Sequence, residues 1–135
     1  MTNLFIQDND EIKVEFAVAV DNKGKIYSSA NLADLKDMLK DVKCKFKEYE
    51  AVFKRPSYKD VIDFNKSSIS ANAGGLSFNP ASERFNKMVK LIKSWNLVDA
   101  SGTAIEPNET TIGSLNPGVA ETISSLLEIE IGSSY

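Results

Sequence analysis

From Ile12 to Phe16 apolar residues alternate with charged ones, the period of two that puts every second side chain on one face of a half-buried β-strand. Asp21-Asn22-Lys23-Gly24 follows, a turn sequence because Asn and Gly accept positive φ, and Lys25-Ile26-Tyr27 returns as the second strand of a hairpin. Asn31 is placed to cap a short helix on which Leu32, Leu35, Met38 and Leu39 fall at helical spacing. Alternation resumes at Val42-Lys43-Cys44-Lys45-Phe46, but its phase then slips. Tyr49, Ala51 and Phe53 occupy odd positions where Val42, Cys44 and Phe46 occupied even ones. A one-residue slip predicts a β-bulge or a turn near Lys47-Glu48, and we expect two strands joined by a tight connection. Their lysine flanks suit the edge of a sheet.

Beyond Pro56 the period becomes 3.6. Ser57 opens a capping-box-like start with Asp60 in the place of the preferred Glu, ahead of Val61, Ile62 and Phe64. Ser67 to Phe78 is small, polar and Gly-rich, and reads as a flexible loop. Asn79-Pro80 starts the clearest helix, with Phe85, Met88, Val89, Ile92 and Trp95 on one stripe. Asp99 to Gly102 reads as a turn, and Ile105, Ile112 and Leu115 mark a short apolar segment. Asn116-Pro117 repeats the helix start before a last stripe of Val119, Ile123, Leu126 and Leu127. The first ten or so residues and the tail from Gly132 are expected to be loose. Strands come first and helices second, which predicts an α+β fold in a single domain, 1–55 β-rich and 56–135 helical.

Composition narrows the chemistry. With 135 residues, 42% of them hydrophobic, the chain can bury a core without disulfides or metal. It has no histidine and one cysteine, which removes the commonest general base and metal ligand, any intrachain disulfide and any thiolate zinc site. A net charge of −3 gives no general attraction to phosphate backbones. The stretch Phe16 to Val20 is far too short to cross a bilayer, and MTNLFIQDNDEIK has no basic, apolar leader pattern. A cytosolic protein is expected, with Cys44 reduced. Charge is uneven: Lys40 to Lys59 holds seven basic and three acidic residues, a local charge of +4, whereas Ser101 to Tyr135 has five glutamates and no Lys or Arg. These regions read as solvated faces, or as surfaces able to pair with a partner.

No constellation for catalysis emerges. Asp8 to Glu11 crowds carboxylates but lacks the loop of a calcium site. The serines have neither an elbow motif nor a histidine to activate them. Cys44 reads as a core thiol, and Gly74-Gly75 as a loop hinge rather than a phosphate cradle. Lys43, Lys45, Lys47, Lys54, Arg55 and Lys59 form a candidate basic surface for nucleic acid, with Phe46, Tyr49 and Phe53 nearby as stacking groups. Alternation, however, places those aromatics opposite the lysines. Trp95 reads as a residue closing the core, or else as a partner anchor. No catalytic, cofactor or metal site is expected, and no enzyme.

Phe53-Lys54-Arg55-Pro56-Ser57-Tyr58-Lys59-Asp60, the helix from Arg84 to Leu97, the run W-N-L-V-D-A-S-G from Trp95 to Gly102, and Leu115-Asn116-Pro117 before a terminal helix form a sequence of features. Over residues 53–127 this resembles small proteins encoded among bacteriophage tail genes, the tail-assembly chaperones and small tail structural proteins. The resemblance implies a non-enzymatic phage protein of the host cytoplasm or the virion. Its partners would be tape-measure or tail-tube proteins, or other copies of itself, with no membrane or small-molecule substrate. A groove for an amphipathic helix would be lined by Phe85, Met88, Ile92 and Trp95 from one helix and by Ile123 and Leu127 from the other. The alternative is a small phage-encoded inhibitor that binds a host enzyme, and a lesser one is nucleic-acid binding through residues 40–59.

Overall fold

The computed structural model describes residues 4–7, 9–72, 75–78 and 80–132. The expected hairpin is present. Strand β1 spans Glu11–Asp21 and β2 spans Ile26–Ser29, paired antiparallel from Val20↔Ile26 to Ala17↔Ser29. Asp21 Oδ1 accepts from the amides of Lys23 and Lys25, and Gly24 takes the positive φ of 83° that closes the turn. Helix α1, Leu32–Met38, is capped by Asn31, whose side chain accepts from the Asp34 amide. Leu35 and Leu39 are buried, but Met38, predicted on the same stripe, is 63% exposed.

The phase slip has a different origin from the one expected. Cys44–Lys54 is one continuous strand, β3, whose register with β1 runs unbroken from Asp21↔Cys44 to Glu11↔Lys54. There is neither a turn nor a bulge at Lys47-Glu48; instead the covered face changes. Tyr49, Ala51 and Phe53 belong with Ile12, Val14 and Phe16 to the main core, while Cys44 and Phe46 join Ala17, Ala19, Leu35 and Leu39 under α1 on the other face. Each half of the strand is apolar toward the layer that covers it, so the apolar phase moves by one residue without any kink.

Ser57 and Asp60 form the expected box at the start of α2, Tyr58–Ser68. The Ser57 amide donates to Asp60 Oδ2 at 3.0 Å and the Asp60 amide donates to Ser57 Oγ at 3.2 Å. Burial pushes the Asp60 carboxyl up, but the Ser57 donors and the charges of Lys54 and Lys90 outweigh it and leave it below its ordinary value. Such a group stabilises the fold fully above the ordinary Asp range, and that contribution is lost as pH falls through the lowered value. Asp60→Asn should therefore cost about 1–2 kcal/mol at neutral pH. In urea unfolding the gap from the parent should narrow below about pH 4; a gap that is constant with pH would show that ionisation of Asp60 contributes nothing.

The described residues of the stretch read as a loop, 67–72 and 75–78, lie in regular elements. They form the last turn of α2 and two short strands, β4 (Ile69–Asn72) and β5 (Gly75–Phe78), paired antiparallel with Ile69↔Phe78 and Ala71↔Leu76 in register. Apolar residues therefore recur at every second position within a segment whose bulk composition is small and polar. Gly75 opens β5, while Gly74 of the expected hinge and the capping Asn79 lie outside the described residues. Helix α3, Pro80–Leu91, ends earlier than the stripe predicted, because Ile92–Trp95 is strand β6. It pairs with β3 through Ala51↔Trp95 and Val52↔Ser94, with a register shift before Phe53↔Ile92, and completes a four-stranded sheet of order β2-β1-β3-β6. Pairing with the sheet overrides helical spacing at a β-branched residue and an aromatic one.

The segment marked by Ile105, Ile112 and Leu115 contains a short helix, α4 (Glu109–Gly113), with a reciprocal capping box between Asn108 and Thr111. Helix α5, Pro117–Gly132, starts where Asn116 Oδ1 accepts from the amides of Gly118 and Val119. Val119, Ile123, Leu127 and Ile131 bury one side of it against the sheet. The fold is α+β: helices cover one face of the antiparallel sheet, and α1 covers part of the other. The tail beyond Gly132 lies outside the described residues.

Candidate protein-binding site

The main-core face of the sheet is incompletely covered where β2 pairs with β1. Val18 and Ile26 carry the Phe16 phase onward; Val18 is only partly buried against the main core and Ile26 is exposed. Beside them Tyr49 stacks on Phe16, with ring centroids 5.8 Å apart. Trp95 stands opposite Ala51 and its Nε1–H donates to the Ile105 carbonyl. That bond ties β6 to a turn in which Val98 bridges Ala104 and Asp99 Oδ1 accepts from Ser101 and Thr103. The Ser101 hydroxyl and the Thr103 amide lead the donors that hold the Asp99 carboxyl below its ordinary value, and Gly102 takes φ 85°.

Between this turn, the sheet and the α4–α5 junction lies a cleft of about 260 Å³. Val18 and Tyr49 form its floor with Ile26 at the rim, Trp95, Leu97, Val98 and Ile105 one wall, and Leu115, Asn116 and Val119 the other. Its surface is mainly apolar, and its volume suits one or two large side chains. The Lys47 ammonium sits 5.1 Å from the centre of the Tyr49 ring beside it.

The six residues expected to line a helix groove are divided. Trp95 lines the cleft. Phe85 and Met88 line a second hollow, of about 300 Å³, between α3 and the α4–α5 junction. Ile123 and Leu127 are within 1% of complete burial, and Ile92 packs partly buried on the same core. Ile123 and Leu127 are closed to a partner because α5 turns them toward the sheet, and Ile92, on β6 within the sheet, packs on the same core. Met88 is also 96% buried, at the bottom of its hollow. Sequence reasoning missed Val18, Ile26, Leu97, Val98 and Ile105; continuing the Ile12–Phe16 phase through Val18 and Val20 would have exposed the unfilled part of the face.

The basic residues are divided as well. Lys45 and Lys47 share a face of β3 with Tyr49, contrary to the expectation that alternation separates lysines from aromatics; Phe46 lies on the opposite face. Lys54 pairs with Asp60 at 3.7 Å and is only half exposed, Arg55 is partly buried, and Lys43 and Lys59 are exposed. They do not make one stripe for a phosphate backbone. Cys44 is partly buried under α1.

Among the described residues no group of three or more His, Cys, Asp or Glu side chains is placed to hold a metal ion, and no helix is long and apolar enough to cross a membrane. No family model matches the chain, and neither a curated protein nor a solved structure matches it.

Proposed function

We propose that this chain is a non-enzymatic bacteriophage tail-associated protein, an assembly chaperone or a small virion subunit, working through protein–protein contacts in the host cytoplasm or the particle. The observation that carries the reading is the apolar cleft. Trp95, Leu97, Leu115 and Asn116, residues on which the phage-tail resemblance rests, converge on it although up to twenty-one positions separate them. Asp99 and Gly102, from the same pattern, shape the turn that forms its wall. The cleft suits an apolar anchor of a partner, with aromatic walls of the kind that dominate binding energy.

Co-expression with the product of a neighbouring gene, several hundred residues long and helical, should raise that partner's solubility. Ile26→Glu, at the cleft rim where the side chain is 38% exposed, should abolish the gain while leaving thermal unfolding nearly unchanged. Unaltered partner solubility with this variant would remove the cleft from the function. Trp95→Ala should destabilise the fold by about 2–3 kcal/mol, because it removes both packing and the bond to Ile105. Retained stability with lost partner binding would instead make Trp95 a contact residue.

A further inference from the structure

Strand β6 covers only part of the outer side of β3. Its pairing spans Ala51 to Phe53, and the last contacts along this side are made by Asn96, whose amide donates to the Glu50 carbonyl and whose Oδ1 accepts from the Glu50 amide at 2.8 Å. Glu50 therefore turns both backbone groups away from β1. Because the β1–β3 register is unbroken, Glu48 and Phe46 turn theirs the same way. Among the described residues no strand pairs with them on that side. The sheet thus ends in an open edge from Cys44 to Glu48, beside the cleft at Tyr49.

The charge at this edge has one dominant sign. Lys43, Lys45 and Lys47 are exposed along it, with Lys45 and Lys47 on the cleft side. On the opposite face the Lys36 ammonium lies 5.8 Å from the Phe46 ring centre. Glu48 is the one acid of the segment. A second copy adding here in antiparallel fashion would set lysines against lysines, which is unfavourable in directly opposed positions. An extended acidic segment whose side chains point to the Tyr49 face meets Lys45 and Lys47, whereas on the Phe46 face Lys36 is offset by Glu48.

We propose that the outer edge of β3 from Cys44 to Glu48 seats an extended acidic segment of the partner, added to the sheet as a further strand. The inference rests on the protein-binding reading above and specifies the partner's chemistry: backbone bonds to Phe46 and Glu48 hold it, and Lys45 and Lys47 select its charge.

The test uses the isotopically labelled full chain and a blocked synthetic peptide alternating glutamate with valine and threonine. Binding should slow hydrogen exchange at the Phe46 and Glu48 amides by about tenfold or more and should weaken several-fold as salt is raised. The same peptide with lysine for glutamate should not bind. Glu48→Pro removes an outward N–H while sparing the β1 pairing, so it should abolish the protection with thermal unfolding little changed. Should that variant not fold, the charge reversal K45E/K47E, confined to exposed side chains, should weaken the acidic peptide by at least tenfold. No binding, binding without protection at Phe46 and Glu48, or full binding to the folded Glu48→Pro chain would each overturn the proposal. A native partner lost with Ile26→Glu but kept by Glu48→Pro would overturn the edge alone; the reverse pattern would overturn the cleft and leave the edge standing.

Discussion

Replacing Lys87 with methionine is expected to lower the unfolding free energy by about 3–5 kcal/mol. Its ammonium is buried on α3, 2.7 Å from Glu83 Oε1 on the same helix and 2.7 Å from Glu128 Oε1 on α5, and it lies 5.5 Å from the centre of the Phe64 ring. Removing the cation leaves Glu83, with a side chain only 16% exposed, as an uncompensated charge between packed helices. Neutralising all three groups, as K87M/E83Q/E128Q, should recover most of the loss, because the pairing largely offsets the burial it requires. A loss below about 1 kcal/mol for the single variant would place the cluster with ordinary surface ion pairs. The pH dependence supplies a second check. Burial pulls the ammonium down, but the bonds and charges of Glu128 and Glu83 outweigh it and raise it above its ordinary value of 10.5. Its stabilisation is therefore complete below about pH 10 and is lost as pH rises through the raised value. The parent should show an alkaline unfolding limb that the triple variant lacks.

Phe53→Ala should cost about 3–5 kcal/mol, whereas Phe46→Ala, on the same strand, should cost about 1 kcal/mol. Phe53 is completely buried in the main core, between β1 and the helices, while Phe46 is partly exposed in the smaller cluster under α1. Guanidinium unfolding of the two variants measures the contrast. Equal losses would mean that the α1 side is as tightly packed as the helical side. Hydrogen exchange on Phe46→Ala should show the loosening confined to α1, β2 and the adjoining ends of β1 and β3, where the small cluster lies.

This difference between the two sides of β3 also explains what could be read from the residues and what could not. The Ile12–Phe16 alternation, the Asp21–Gly24 turn, the Asn31 cap, the Ser57–Asp60 box and the Asn116-Pro117 start are local features, each completed by neighbours within a few positions, and each appears where expected. The α+β class followed from their order. The slip after Phe46 was visible, but its cause lies in which layer covers each half of the strand, a long-range fact that alternation alone does not contain. Ile92 to Trp95 fits a helix stripe as well as a strand, and pairing with Ala51–Phe53, some forty positions earlier, decides between them. The β4–β5 hairpin was hidden by small residues whose alternation is weak. The cleft escaped for a related reason: its residues come from five separate segments, and only folding brings them together.

The order in which the sheet is completed also matters while the chain is being made. By the time Lys54 leaves the ribosome, β1, β2, α1 and β3 are all available, and the side of the sheet facing α1 can close. The opposite side, with Ile12, Val14, Phe16, Ala51 and Phe53, waits for residues between Phe64 and Ile131. At ordinary synthesis rates of about 5–20 residues per second, that bare surface persists for several seconds. For that interval the nascent chain carries its own unprotected apolar sheet face, a stage at which delay, crowding or premature termination would favour aggregation over folding.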